Sequence, residues 1–382
     1  MENSMHSRFY TCCSIVLLLL CVSPFFAQEE KIGLCLSGGG AKGAYQVGVW
    51  KALQEYDYIK NIVAISGTSV GALNAALFTC NEQQKIEVLW TDEIGFFEVL
   101  SPDISKIDYA ADATAQFAEQ IKDSYNAYIE DSNTKKDAQI KTTIDTSKDL
   151  LKEITNYISN FMLTDKPVKG IFSREPLLNI INENISYNQI KESKSLVYVT
   201  AIKKRRLAAK GLTSIFWDDY SHVFKLQDQL SMSNISSLLL ASSAIPVAFD
   251  TVTLPEDIIE NGRKVGKSYE YTDGGFELVG GKNIPIKPLV QNKEINTIIV
   301  VYLKSEEELQ GKSEQENHNR ITSEEVKGKK LIEIIPSEPL GNFLKGTLNF
   351  DKSQIKKLVD LGYNDTINIL NKIQNTSIHQ NW

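Results

Sequence analysis

Twice within residues 31–77 an apolar run of strand length ends in glycines and continues directly as a helix. "KIGLCLSGGG" leads into "KGAYQVGVWKALQEY", where Tyr45, Val49, Leu53 and Tyr56 recur at helical spacing, and "NIVAIS" leads into "GTSVGALNAAL". Runs that are apolar throughout, not alternately, belong to strands covered on both faces, the usual state of a parallel sheet. Strand, helix, strand, helix in succession predicts an α/β fold with crossover helices on a mainly parallel central sheet. Later segments extend the pattern: "SLVYVTAI", "NTIIVVYL" and "LIEIIPS" read as strands, "KSYEYT" as strand-like, and "ISSLLLASSAIPVAF" as a helix ending at Pro246. Residues 352–373 read as an amphipathic helix pair broken near Gly362.

Three segments stand apart from this frame. In residues 1–27, Arg8 precedes "SIVLLLLCVSPFFA", too short for a comfortable bilayer span and ending in Ala27. That arrangement predicts a secretory signal, with export after cleavage near Ala27 to the periplasm or beyond; Phe25, where a small residue is favoured, makes an uncleaved anchor the alternative. Residues 100–168 carry apolar positions such as Phe117, Ile121, Tyr125 and Ile129 at helical spacing, which predicts a helical insertion, either packed on the main domain or capping a lipid site. Residues 305–330 are almost wholly polar and read as an exposed loop. A net charge of −7 disfavours nucleic acid as a partner, because phosphate neutralisation needs a basic surface. Of five cysteines, Cys12, Cys13 and Cys21 lie in the signal; Cys35 and Cys80, in apolar surroundings, suggest small buried hydrophobes, not a disulfide framework or a metal site.

Gly67-Thr68-Ser69-Val70-Gly71 has the G-x-S-x-G form after a strand and before a helix. A serine on such a sharp turn projects its hydroxyl at the positive end of the helix, and the flanking glycines let neighbouring backbone come close. The pentapeptide alone is a weak pattern that arises often by chance, and taken by itself it more often marks a helix packing tightly on a sheet. Upstream, Gly38, Gly39, Gly40, Ala41, Lys42 and Gly43 close a strand and open a helix, exposing backbone N–H groups that suit an anion or an oxyanion. This hexapeptide also fits a dinucleotide fingerprint, but the acidic residue expected at the end of the second strand is absent, since Ser66-Gly67-Thr68-Ser69 stands there. Lys42 precedes Gly43, the wrong order for a phosphate-binding P-loop, so no nucleotide cofactor is expected.

A serine nucleophile requires a base. His6, His318 and His379 lie in the signal, the polar stretch and the chain end, leaving His222 as the one histidine in an ordered setting. Asp273, followed by Gly274 and Gly275 after a strand-like run, is the better candidate, because a partly desolvated carboxylate serves as a base without histidine. D-G-G alone is most often a turn.

In this order, "GGGAKG", "GTSVG" and "DGG" resemble the signature set of the patatin-like phospholipases, and "GIFSREPLLNII", "LVYVTAI" and "ASSAIPVAF" are similar to later blocks of that family. The resemblance covers most of residues 31–303. It implies a three-layer α/β/α sandwich over residues 28–382 and a lipid acyl hydrolase of phospholipase A, lysophospholipase or esterase type. It assigns Ser69 as nucleophile, Asp273 as base and the Gly38–Gly43 loop as oxyanion site, with Lys42 where the family has Arg or Lys. No metal or organic cofactor is implied; the implied partners are a lipid or acyl ester and a membrane or micelle surface. A non-catalytic lipid-binding protein on the same fold is the alternative. Where the family reaches N-x-P soon after D-G-G, "FELVGGK" intervenes here before Asn283-Ile284-Pro285, predicting an extra loop.

Overall fold

Strands β1 (Ile32–Leu36) and β9 (Thr297–Val301) are buried at every position, as their unbroken apolar sequences require. Side chains alternate between two cores: Ile32, Leu34, Leu36, Ile299 and Val301 join the larger cluster on one face, and Cys35, Ile298 and Val300 the smaller on the other. The computed structural model describes residues 29–99, 101, 170, 172–203, 221–246, 248–275, 283–310, 320–341 and 346–379. The expected signal segment 1–27 and nearly all of the expected insertion 100–168 lie outside the described residues.

Helix α1 (Ala44–Glu55) follows β1, and β2 (Ile62–Thr68) leads through Ser69 into α2 (Val70–Cys80). Next come α3 (Gln83–Val88), α4 (Glu175–Asn184), β3 (Leu196–Lys203), β4 (Ser221–Lys225) and α5 (Met232–Ser242). The short strands β5 (Val252–Leu254), β6 (Ile259–Glu260) and β7 (Arg263–Lys264) precede β8 (Tyr269–Asp273) and α6 (Lys287–Gln291). After β9 the chain forms α7 (Glu306–Gln310), β10 (Lys330–Ile334) and α8 (Lys352–His379). The sheet order is β10-β9-β1-β2-β3-β8-β5, with β4 also on β3. β10, β9, β1, β2 and β3 pair in parallel, whereas β4, β8 and β5 join antiparallel. This is the mainly parallel α/β sheet the sequence predicts.

Register places two strand ends against each other. Thr200 of β3 pairs with Thr68 on one side and Val223 on the other, and the next residue, Ala201, pairs with Asp273 and His222. A strand has two edges, and β4 occupies one of them at both positions. β2 and β8 therefore lie along the same edge of β3 and meet tip to tip, Thr68 and Asp273 facing consecutive residues of β3.

Three sequence expectations are corrected. The last helix is continuous from Lys352 to His379, not a pair broken at Gly362: a Cβ on Gly362 would strike the Tyr45 carbonyl, and one on Gly48 the Val359 carbonyl, so the glycines let α8 and α1 cross closely. Tertiary packing outweighs the roughly 1 kcal/mol helix penalty of glycine. The helix expected to reach Pro246 stops at Ser242, where the chain turns to deliver its carbonyls to β8: Ser242 and Ala244 accept from the N–H groups of Gly274 and Asp273. The polar stretch 305–330 is built into the fold at both ends, with Leu309 and Val326 buried in the smaller core. Arg320 clamps it there, bidentate to Glu333 of β10 and bonded to Glu306 of α7.

Candidate active site

The β2 to α2 turn leaves Ser69 at φ 54, ψ −126, a conformation few L-residues adopt, and only 4% exposed. Two contacts hold it. Its N–H donates to Ser242 Oγ at 2.9 Å, and that hydroxyl donates to the Thr200 carbonyl at 2.6 Å, so α5 and β3 together fix the turn. The glycines on either side are sterically required: a Cβ on Gly67 would meet the backbone of Gly71, and one on Gly71 the Leu36 carbonyl. Thr68 and Val70 are buried beside them.

Asp273 reaches the same point from β8 and is 5% exposed. Its Oδ1 accepts from the Gly275 N–H at 2.7 Å, while Oδ2 is buried with no hydrogen-bond partner among the described residues. Burial pushes its pKa up to about 6; the nearby Ser69 hydroxyl and the Gly275 N–H pull the other way. Gly274 is needed because a Cβ would strike the Thr200 carbonyl, and Gly275 because Asn283 and Thr68 stand against it.

The glycine loop completes the setting. Gly38 donates to Asn283 Oδ1 at 2.9 Å, so its N–H is already engaged, contrary to its expected part in an oxyanion site. The N–H groups of Gly39 and Gly40 have no acceptor among the described residues. Gly40, at φ +58, lies under the Thr347 carbonyl, leaving no space for a side chain. Ala41 and Gly43 are buried, Gly43 against Val70 and Trp90.

Two hollows open at Ser69. One, of about 450 Å³, is lined by the glycine loop, Lys42, Ser69, Asp273, Asn283 and Lys304. Burial lowers the Lys42 pKa, Glu308 raises it and Lys304 lowers it again. The other is a narrow apolar slot of about 70 Å³, walled by Leu73 and Leu77 of α2, Trp90, Leu177 and Ile181 of α4, and Phe249. Gly40, Ser69, Ile245 and Thr347 border both.

His222 is not part of this arrangement. It sits on β4, its Nδ1 2.7 Å from Glu260 Oε1 and its ring edge-on to Tyr271, and it lines neither hollow. Sequence reasoning gave no role to Ser242, which lies within the "ASSAIPVAF" block, and passed over Thr347 and Lys304, which carry no motif. Asn283 did carry a signal, the displaced N-x-P element. Cys35 and Cys80 are buried free thiols.

The model of the patatin-like phospholipases matches residues 34–290, from β1 through α6. This chain belongs to that family. Among curated relatives, lysophospholipase nte1 of Aspergillus terreus is 55% identical over 49 residues, 13% of this chain and 3% of that protein. A patatin-like phospholipase domain-containing protein of Chaetomium globosum is 46% identical over 63 residues, 16% of this chain and 7% of the other. The family member described here thus spans under a tenth of the length of the curated relatives it matches. Among solved structures, VipD from Legionella pneumophila is 17% identical, with 90% of this chain and 67% of that one covered at a TM-score of 0.37. Human GIVD cytosolic phospholipase A2 is 8% identical, with 90% and 60% covered at 0.40.

Proposed function

We propose that the chain hydrolyses the acyl esters of lipids with Ser69 as nucleophile and Asp273 as general base, without histidine. One observation carries this: two strands meeting tip to tip bring a strained serine and a buried carboxylate together where a polar cavity joins an apolar slot. Family membership supports a lipid ester as the substrate class. As Oγ of Ser69 attacks the acyl carbonyl, its proton passes to Asp273 Oδ2, the oxygen with no other partner among the described residues. The charge that develops on the carbonyl oxygen is met by the Gly39 and Gly40 N–H groups, with the Lys42 ammonium lining the same cavity. Collapse expels the alcohol, which takes the proton from Asp273 and leaves the acyl group on Ser69. Asp273 then accepts a proton from water as that water attacks the acyl ester, and the proton returns to Ser69 when the fatty acid leaves.

A base with a pKa of about 6 is ionised at neutral pH yet basic enough to accept the proton in the transition state. The slot suits the acyl chain, because its walls are apolar and begin at the nucleophile. The reaction type is that of a phospholipase A, lysophospholipase or esterase, on a substrate met at a membrane or micelle surface. Residues 1–27 support export, with cleavage near Ala27.

The test uses the purified full chain in mild detergent with p-nitrophenyl octanoate and a lysophospholipid. Hydrolysis of both is expected, abolished by Ser69→Ala and by Asp273→Asn and retained by His222→Ala. Unchanged turnover in Asp273→Asn removes the dyad; absence of turnover on either ester in the wild type favours the non-catalytic lipid-binding reading.

A further inference from the structure

The glycine loop is pinned at both ends by buried polar groups that take no direct part in the chemistry proposed above. At its start the Ser37 hydroxyl donates to the Val301 carbonyl at 2.9 Å, and the Ser37 carbonyl accepts from Gln46 Nε2 at 2.7 Å. At its end the Gly43 carbonyl accepts from Asn74 Nδ2 at 3.0 Å. Asn74 is the hub: Nδ2 also donates to Gln46 Oε1 at 2.9 Å, and Oδ1 accepts from Trp90 Nε1 at 3.1 Å. The indole N–H is donor only, so Oδ1 must face Trp90 and the amide has one orientation. Gln46 and Asn74 are fully buried and Trp90 nearly so.

Placement gives the network its meaning. Gln46 is on α1, which the glycine loop opens, and Asn74 is on α2, which Ser69 opens, so the amide pair joins the two loops that must face one reacting carbonyl. Apolar residues of the same size would pack α1 against α2 at no desolvation cost, whereas a buried amide is tolerated only when saturated, and then it fixes geometry sharply. Oxyanion donors demand that sharpness, because their effect depends on lying about 3 Å from the developing charge.

We infer that Asn74, braced by Gln46 and Trp90, is a positioning residue that sets the glycine loop at a fixed distance from Ser69. This rests on the reading of Gly39 and Gly40 as oxyanion donors. Its loss leaves the loop tethered at one end, and the penalty falls on the transition state, not on substrate binding.

The experiment measures kcat and KM on p-nitrophenyl octanoate, and the inhibition constant of an alkyl trifluoromethyl ketone, for the full chain and for Asn74→Leu and Gln46→Met. Both substitutions keep shape and remove hydrogen bonds, and the second serves if the first does not fold. Expected are a fall in kcat of roughly 30- to 100-fold for Asn74→Leu and about 10-fold for Gln46→Met, with KM within about 3-fold. The ketone, whose adduct carries an oxyanion, is expected to weaken in proportion to kcat. An active wild type whose folded variants keep kcat and ketone affinity, losing only thermal stability, overturns the inference alone. A wild type that hydrolyses no ester overturns the catalytic reading beneath it.

Discussion

The cavity that holds Lys42, Asp273 and Lys304 and the slot walled by Leu73, Leu177 and Phe249 differ in nearly everything except the four residues at their junction. The first is built from loops and strand ends, which present backbone N–H groups and charges at defined points. The second is built from helix faces and aromatic rings, which supply area without direction. Chemistry needs fixed donors and a tuned base, whereas an acyl chain needs only a dry groove of suitable width. Ser69 stands on the wall between them, so each hollow can be altered while the other is left intact.

The sharpest break is Asp273→Asn, which leaves the slot untouched and removes the proposed base. Activity on every ester is expected to fall by about 10⁴-fold or more, measured by single-turnover release of p-nitrophenol. The same variant should melt higher. Burial holds the folded pKa at about 6 against an ordinary 3.8, so the native state binds this proton more tightly than the unfolded chain does. The penalty is absent below pH 3.8, grows as pH rises toward 6, and stands at about 3 kcal/mol above that. Asparagine escapes it, and calorimetry at pH 8 is expected to show a Tm several degrees above wild type, with the gain vanishing near pH 4.

Gly40→Ala strikes the junction itself. Its Cβ meets the Thr347 carbonyl at a positive φ, and kcat is expected to fall about 100-fold on short and long esters alike. Ile181→Trp separates the two hollows in the opposite sense. Filling the slot should cost roughly 10- to 100-fold in kcat/KM on decanoyl esters and less than about 3-fold on acetyl esters, and equal losses on both would show that the chain lies elsewhere. The smallest effect is read from pH. Below the Asp273 pKa of about 6, kcat/KM on a neutral ester is expected to drop about tenfold per pH unit and to level above it; a profile flat from pH 4.5 to 8 contradicts the proposed base.

What the sequence disclosed and what it withheld divide along the same physical line. The turns at Ser69 and at Gly38–Gly43 were legible as turns because each is a local event, a strand turning into a helix within a few residues, and the composition of the turn carries the geometry. Asp273 was legible only by its glycines and its place in the order of motifs, since its pairing to Ala201 is not written near it. The contacts of Ser242 and Thr347 were not legible, even though Ser242 stands in a quoted block: they depend on where α5 ends and where the chain crosses above Gly40, and both are settled by tertiary packing. Gly362 misled for the same reason, because helix propensity says break while contact with Tyr45 says continue. Nearly all of the expected insertion 100–168 and the whole of the expected signal 1–27 lie outside the described residues.

The tip-to-tip meeting of β2 and β8 also sets a timetable. Thr68 takes its place on β3 through a parallel crossover that spans residues 68 to 200, whereas Asp273 arrives only after residues 201 to 273 have followed and β8 has docked in the space that β2 leaves free. Contacts of such wide sequence separation form late in folding. A chain still emerging, or one folded only through β3, therefore holds a serine without its carboxylate. The two side chains come together in one step, when β8 docks on β3.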